Sequence, residues 1–353
     1  MRDQISPKNL TRLKIAGGVL TILGIGLFAF LVYSMGIGEL AEGIERFGWV
    51  GFAVILFLFF LRIVVRAAAW SLSVYEPYRL KLRDTIPAVI IGEATSAIIP
   101  LGILVSGTTK AVAVRNRVPL VVAMSSVATE NLFYSIVTSI FLIIGSVAFL
   151  RLTPLEEGWT ITIDIVIAGI ILFMMFLVVM IMRQWHFASE ACEKLYQRGY
   201  LTRVLEKGRM DVRLFENLIY GYYRQHPRRF LPICLFEAAY HAIGVAEVYY
   251  VLSRLSDGVP SLMTSFLLES VSRLIAILFK LIPLTIGVDE AGAKFVGDAF
   301  ALAAGVGITL AIIRKGRMLF WTTIGMLLIL KRGVSLKQMT SVQEHAASEI
   351  IEP

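Results

Sequence analysis

Long apolar runs separated by short polar intervals dominate this chain, at the length of about 20 residues that a helix needs to cross a hydrocarbon core of about 30 Å. Runs at residues 13–34, 48–70, 119–150, 160–182 and 231–255 are predicted spans. Two other runs are interrupted. Residues 84–105 carry Glu93, Pro100 and Gly102, and residues 265–283 carry Glu269, Arg273, Lys280 and Pro283. The interruptions repeat one sentence, Ile99-Pro100-Leu101-Gly102-Ile103 and Ile282-Pro283-Leu284-Thr285-Ile286. Broken apolar segments in corresponding places of two halves point to a transport site built from discontinuous helices. The second is followed by Gly287-Val288-Asp289-Glu290, then by predicted spans at about 295–313 and 318–330.

The polar intervals set an orientation, because Lys and Arg collect on the cytoplasmic side. Arg2, Lys8, Arg12 and Lys14 precede the first run with no small-residue cleavage pattern after it, so it reads as an uncleaved anchor with a cytoplasmic N-terminus. Glu39, Glu42 and Glu45 then belong outside, and Arg79, Lys81 and Arg83 inside. Lys110, Arg115 and Arg117 follow the first broken segment at once, so a re-entrant hairpin keeps both basic clusters inside. By the repeat, the second broken segment re-enters from outside and leaves Arg314, Lys315 and Arg317 in an inside loop. The loop at 183–229 alternates Lys and Arg with Leu, Tyr and Phe, and reads equally as an amphipathic helix against anionic headgroups or as a solvated basic loop.

The expected architecture is therefore an all-α, polytopic integral membrane protein, multi-pass in a bacterial or archaeal cytoplasmic membrane. One membrane domain, 1–353, holds two inverted-repeat-like halves at about 48–150 and 231–333, each with a Pro/Gly-broken re-entrant hairpin. A cytoplasmic basic loop, 183–229, joins them, and a polar tail covers 334–353.

Composition agrees. The chain is 57% hydrophobic and 17% charged, with mean hydropathy +0.75, well above the apolar share of a soluble domain. The net charge of +8 follows from cytoplasmic Lys and Arg, so no nucleic-acid partner is expected. Cys192 and Cys234 form neither a disulfide framework nor a metal-type spacing, and neither metal nor cofactor is expected.

Ionisable residues at membrane depth cost about 2.5 to 3.5 kcal/mol each on insertion scales, and are kept for pairing or function. Arg62 and Arg66 are four apart and share a helix face, suited either to joint recognition of a phosphate or to snorkelling beside Trp70. Glu269, Arg273 and Lys280 form a charged stripe, whose plainer reading is a self-satisfied ion pair. Glu290, Lys294 and Asp298 look like a polar cavity wall. The headgroup-binding candidates are thus Arg62, Arg66, Lys110, Arg273, Lys280 and Lys294. Glu93, Glu130, Glu237, His241, Glu269, Asp289, Glu290 and Asp298 are candidates for charge balance or proton coupling, with an interhelical hydrogen bond the competing assignment for His241. Pro100, Gly102, Gly107, Pro283 and Gly287 are the candidate hinge and helix-break positions.

The order of Pro100, Gly107 and Lys110, then Glu130, then Pro283 with Gly287-Val288 and Glu290-Ala291, and finally Arg314 resembles the flippase-like family of the lysylphosphatidylglycerol synthase transmembrane region, the membrane domain of the multiple peptide resistance factor. The chain departs from that pattern in reading Pro283-Leu-Thr-Ile-Gly287-Val-Asp-Glu290, and Glu130-Asn131 in place of Glu-Arg. The resemblance implies a lipid-translocating domain for an anionic or modified phospholipid, or a lipid-linked intermediate. No aminoacyl-transfer domain follows Pro353, so synthesis of the lysyl lipid is not expected.

The expectation is a non-enzymatic lipid carrier whose partners are membrane lipids. Two alternatives stay open: an integral membrane polyprenyl-pyrophosphate phosphatase using hydroxyls such as Ser106, Thr108 and Thr109, and a non-catalytic partner of a separate lipid-modifying transferase.

Overall fold

Apolar runs of these lengths fold as helices because in hydrocarbon every backbone amide and carbonyl must bond within its own segment. A computed structural model describes residues 33, 37–98, 102–152, 157–184, 186–198, 202–255, 259–278, 287–300, 302 and 305–331. Among them are eleven α-helices, one 3-10 turn and no strand. In chain order they are α1 (Ile37–Leu72), α2 (Leu82–Ile98), α3 (Gly102–Ala113), α4 (Leu120–Leu152), α5 (Glu157–Arg183), α6 (Phe187–Gln197), α7 (Thr202–Gln225), the 3-10 turn Pro227–Arg229, α8 (Phe230–Leu255), α9 (Leu262–Leu278), α10 (Val288–Ala299) and α11 (Val306–Lys331).

Among the described residues, four stretches are long and apolar enough to span a membrane: Ile44–Leu72, Leu120–Leu152, Thr160–Arg183 and Pro227–Leu255. They match the runs predicted at 48–70, 119–150, 160–182 and 231–255. The chain is a multi-pass membrane protein. Apart from residue 33, the run predicted at 13–34 lies outside the described residues, as do Pro100, Lys280 and Pro283.

Both broken segments fold into pairs of short helices. α2 and α3 have 17 and 12 residues, and α9 and α10 again have 17 and 12. At 1.5 Å per residue these rise about 25 and 18 Å. Within each pair the helices pack against one another. The most extensive packing joins α1 to α8, while α2 lies on α11 and α9 on α4.

One predicted boundary is corrected. Residues 314–317 do not form a loop: α11 runs unbroken through Arg314, Lys315 and Arg317, and the boundary falls between Ala299 and Val306. All three cations are paired with carboxylates inside the protein, so the helix continues through them without water.

Two apolar cores hold the helices together. Ile63, Ala67 and Trp70 of α1 pack with Ala88 and Val89 of α2, Ala111 of α3 and Val127 of α4. Phe47 and Ile55, earlier on α1, join Val248 and Leu252 of α8, Leu267 of α9, Val296 of α10 and Leu310 of α11. The helix carries Arg62 between those two sets and Arg66 between Ile63 and Ala67. Near its start, α1 bends at Gly48, whose φ of 66° is a left-handed conformation that favours glycine.

Two parts lie at the edges of these cores, α5 touching the second through Ile163 and α7 the first through Leu218. α5 packs chiefly on α4 and leaves Ile165, Leu172, Phe176 and Met182 exposed, the apolar surface expected of a helix facing lipid. The basic loop is helical: α6 and α7 pack together, with Ser189 Oγ donating to Glu216 at 2.6 Å. α7 is fastened to the end of α1, where the Tyr222 hydroxyl donates to the Leu72 carbonyl at 2.7 Å and Arg229 pairs with Glu76.

Candidate functional site

Arg62 and Arg66 sit one turn apart on α1, yet they serve different carboxylates. Arg66 Nε lies 2.9 Å from Glu130 Oε1 of α4, its Nη1 3.2 Å from Glu93 of α2, and its Nη2 donates to Asn131 Oδ1 at 3.3 Å. Asn131 thus contributes directly to the site. Lys110 of α3 stands 4.0 Å from the other Glu130 oxygen. Glu237 of α8 belongs to the same electrostatic neighbourhood as Glu130, Arg66 and Lys110. It is fully buried, and neither of its oxygens has a hydrogen-bond partner.

Arg62 looks the other way. Its Nη2 lies 3.1 Å from Glu269 Oε1 of α9, and its Nη1 3.7 Å from Glu247 of α8. Glu269 also receives Arg273 at 3.2 Å and Arg314 of α11. Glu247 receives Arg317, with Arg314 Nε at 3.7 Å. Four guanidiniums therefore share two carboxylates, and all six side chains are buried or nearly so. The Nε atoms of Arg62, Arg273, Arg314 and Arg317 are buried without a hydrogen-bond partner. Any group bearing several acceptor oxygens would satisfy such donors.

Gly244 makes this approach possible. A Cβ there would collide with the Glu269 carboxylate and come within 3.0 Å of Arg62 Nη1. Aromatic faces line the cations: the Tyr240 ring lies 4.2 Å from Arg62 and 5.2 Å from Arg273, Tyr134 lies 4.4 Å from Arg66, and Phe59 lies 4.3 Å from Arg317. These ring faces attract the charges and exclude water from them.

A third group adjoins on α10 and α11. Lys315 lies 2.7 Å from Glu290 and 3.9 Å from Asp289, and the Gly287 amide donates to Glu290 at 2.8 Å. Charge is distributed unevenly across the three groups. Two cations face three carboxylates around Arg66, four face two around Arg62, and one faces two around Lys315. A centre in cationic excess is flanked by two anionic groups.

The structure thus brings together Arg62, Arg66, Lys110, Arg273, Glu93, Glu130, Glu237, Glu269, Asp289 and Glu290 from the sequence reading. His241 shares a 3.0 Å hydrogen bond with Thr138 and stacks on Phe141, while its Nδ1 is buried without a hydrogen-bond partner among the described residues. Lys294 and Asp298 form an exposed pair at 2.5 Å, away from these buried clusters. Gly102 opens α3 and Gly107 lies within it, Gly287 precedes α10, and Pro100, Pro283 and Lys280 lie outside the described residues.

Sequence reasoning missed Glu247, Arg314, Lys315, Arg317, Tyr134 and Tyr240 as site residues. One signal was present for Glu247: Glu237, His241, Gly244 and Glu247 follow i, i+4, i+7 and i+10, the spacing of one helix face.

No curated protein and no solved structure matches the chain significantly. The family described as the lysylphosphatidylglycerol synthase TM region does match, over residues 14–325. That is nearly the whole chain, including every charged group just described, so the protein belongs to the family of the lysylphosphatidylglycerol synthase transmembrane region.

Proposed function

We propose that the protein is a lipid translocase of the cytoplasmic membrane, which receives the headgroup of an anionic or modified phospholipid, or of a lipid-linked intermediate, while the acyl chains stay in the bilayer. The observation that carries this reading is the buried centre of four arginines on two carboxylates. A local excess of cations over carboxylates at membrane depth is costly unless an anion visits it. Membership of a lipid-related membrane family supports the same class of ligand.

The helix lengths support two repeat-like halves. Each is a long helix, a 17- and 12-residue pair, then another long helix. The cross-packing of α2 on α11 and of α9 on α4 is what a pseudo-two-fold axis relating the halves would produce. In this arrangement the short pairs are re-entrant hairpins, and they carry Glu93, Lys110, Arg273 and Glu290 toward one another. Glu237, buried without a partner, is the group best placed to carry a proton with the lipid.

The test is translocation of a headgroup-labelled phosphatidylglycerol in proteoliposomes, read with a bilayer-impermeant quencher. Wild type is expected to expose lipid on both leaflets, and Arg273→Ala and Glu290→Gln to slow that exchange. No movement above empty liposomes across several lipid classes overturns the carrier reading and turns attention to lipid-phosphatase activity.

A further inference from the structure

Resting on the reading of a lipid headgroup site, we infer that the central arginine cluster selects a compact phosphate with two negative charges, a lipid phosphate monoester, over a singly charged phosphodiester. Charge complementarity comes first. Among the described residues, Arg62, Arg273, Arg314 and Arg317 make their ion pairs with Glu247 and Glu269 alone, Asp289 acting on Arg314 from beyond ion-pair distance, which leaves the cluster itself with two more guanidiniums than carboxylates. A dianion balances them, whereas a diester leaves one buried charge unmatched.

Donor supply comes second. Four buried Nε groups, one on each arginine, have no hydrogen-bond partner among the described residues. A terminal phosphate presents three free oxygens, a diester two, and arginine suits such multipoint recognition.

The flanks come third. The groups around Arg66 and Lys315 are each in carboxylate excess, with Glu237 and Glu130 on one side and Asp289 and Glu290 on the other. They repel anionic charge that spreads beyond the centre, so a single phosphate fits better than an extended diphosphate. Tyr240, against both Arg62 and Arg273, walls the centre off and keeps the interaction strong.

The experiment is lipid competition on the full-length protein in detergent, read by native mass spectrometry at pH 8. Phosphatidic acid, phosphatidylglycerol and phosphatidylcholine with identical acyl chains are offered together. Phosphatidic acid is expected to be retained about tenfold over phosphatidylglycerol, the ratio that one additional charge-assisted contact gives.

Arg273→Gln, which lowers the excess by one, is expected to bring that ratio near unity. The charge-balanced pair Arg317→Gln with Glu247→Gln keeps the excess and should keep the preference, which separates charge selection from general damage to the site. Equal retention of the two anionic lipids, both above phosphatidylcholine, overturns the monoester assignment and leaves the headgroup reading standing. Retention of all three lipids alike overturns both. Inorganic phosphate at millimolar concentration is the last arm: failure to displace phosphatidic acid supports a lipid source, and full displacement overturns it.

Discussion

Arg62 Nη2 and Glu269 Oε1 meet at 3.1 Å across 207 positions of sequence, tying α1 to α9 inside the membrane domain. The same carboxylate accepts Arg273 and Arg314, so it is the acceptor on which three guanidiniums converge. Replacing it by Ala leaves Arg273 without a carboxylate partner and Arg62 and Arg314 with only Glu247, at 3.7 Å. Breaking a buried ion pair from one side costs about 3 to 5 kcal/mol. Glu269→Ala is expected to lower the thermal midpoint in detergent sharply, and Glu269→Gln, which keeps one acceptor oxygen, less so. A midpoint unchanged by Glu269→Ala would refute the convergence.

Gly244→Ala places a methyl group against the Glu269 carboxylate and Arg62. Overpacking of this kind costs about 1 to 3 kcal/mol. Shortening the carboxylate in Gly244→Ala/Glu269→Asp is expected to recover part of the loss. Thermal unfolding of the two single variants and the double variant completes the cycle, and strict additivity would contradict the contact.

Lys294→Ala is the contrasting case. Its pair with Asp298 is exposed on both sides, and such pairs contribute about 0.2 to 1 kcal/mol at most. Its thermal midpoint should stay within a degree or two of wild type, and its lipid competition profile should match wild type. A loss of lipid retention in Lys294→Ala would show that this exposed pair takes part in binding after all.

Tyr222 gives a pH prediction outside the membrane spans. Burial is the main reason its phenol is pushed up to about 12, with Arg229 opposing. A phenol whose folded value lies above its unfolded value near 10 stabilises the fold fully below pH 10, and that contribution is lost as pH rises through 12. The docking of α7 through the Tyr222 bond to Leu72 is therefore expected to weaken between pH 10 and 12. Tyr222→Phe should cost about 1 kcal/mol at neutral pH. It should also flatten the alkaline limb, read by hydrogen exchange of α7; an identical limb in the variant would assign it to other groups.

Much of the fold was legible in the sequence because apolar run length is itself the physical requirement for crossing a bilayer. The spans at 48–70, 119–150, 160–182 and 231–255 could be read directly; the one-turn spacing of Arg62 and Arg66 could be read too, but not that they turn to different carboxylates. Arg314, Lys315 and Arg317 misled for the converse reason. Three cations in four residues look like a loop to any rule that counts charge, since their carboxylates lie 25 to 70 positions away and the ion pairs are visible only once α11 packs on α10, α9 and α8. Lys294 and Asp298 erred in the opposite sense, because i, i+4 spacing states which residues share a face but not whether that face turns inward. Glu247 was overlooked beside Glu237, although its helical spacing marked it.

The placement of Arg62 and Arg66 one turn apart on α1 couples two charge groups mechanically. Any displacement of this stretch of α1 along or about its axis must part Arg62 from Glu269 and Arg66 from Glu130 in the same stroke. The two groups then open as a unit, so substitutions in one should be felt in the other through non-additive free energies. α1 is in this sense a lever with two loads, and its most extensive packing partner, α8, carries the carboxylates Glu237 and Glu247 that answer each of them.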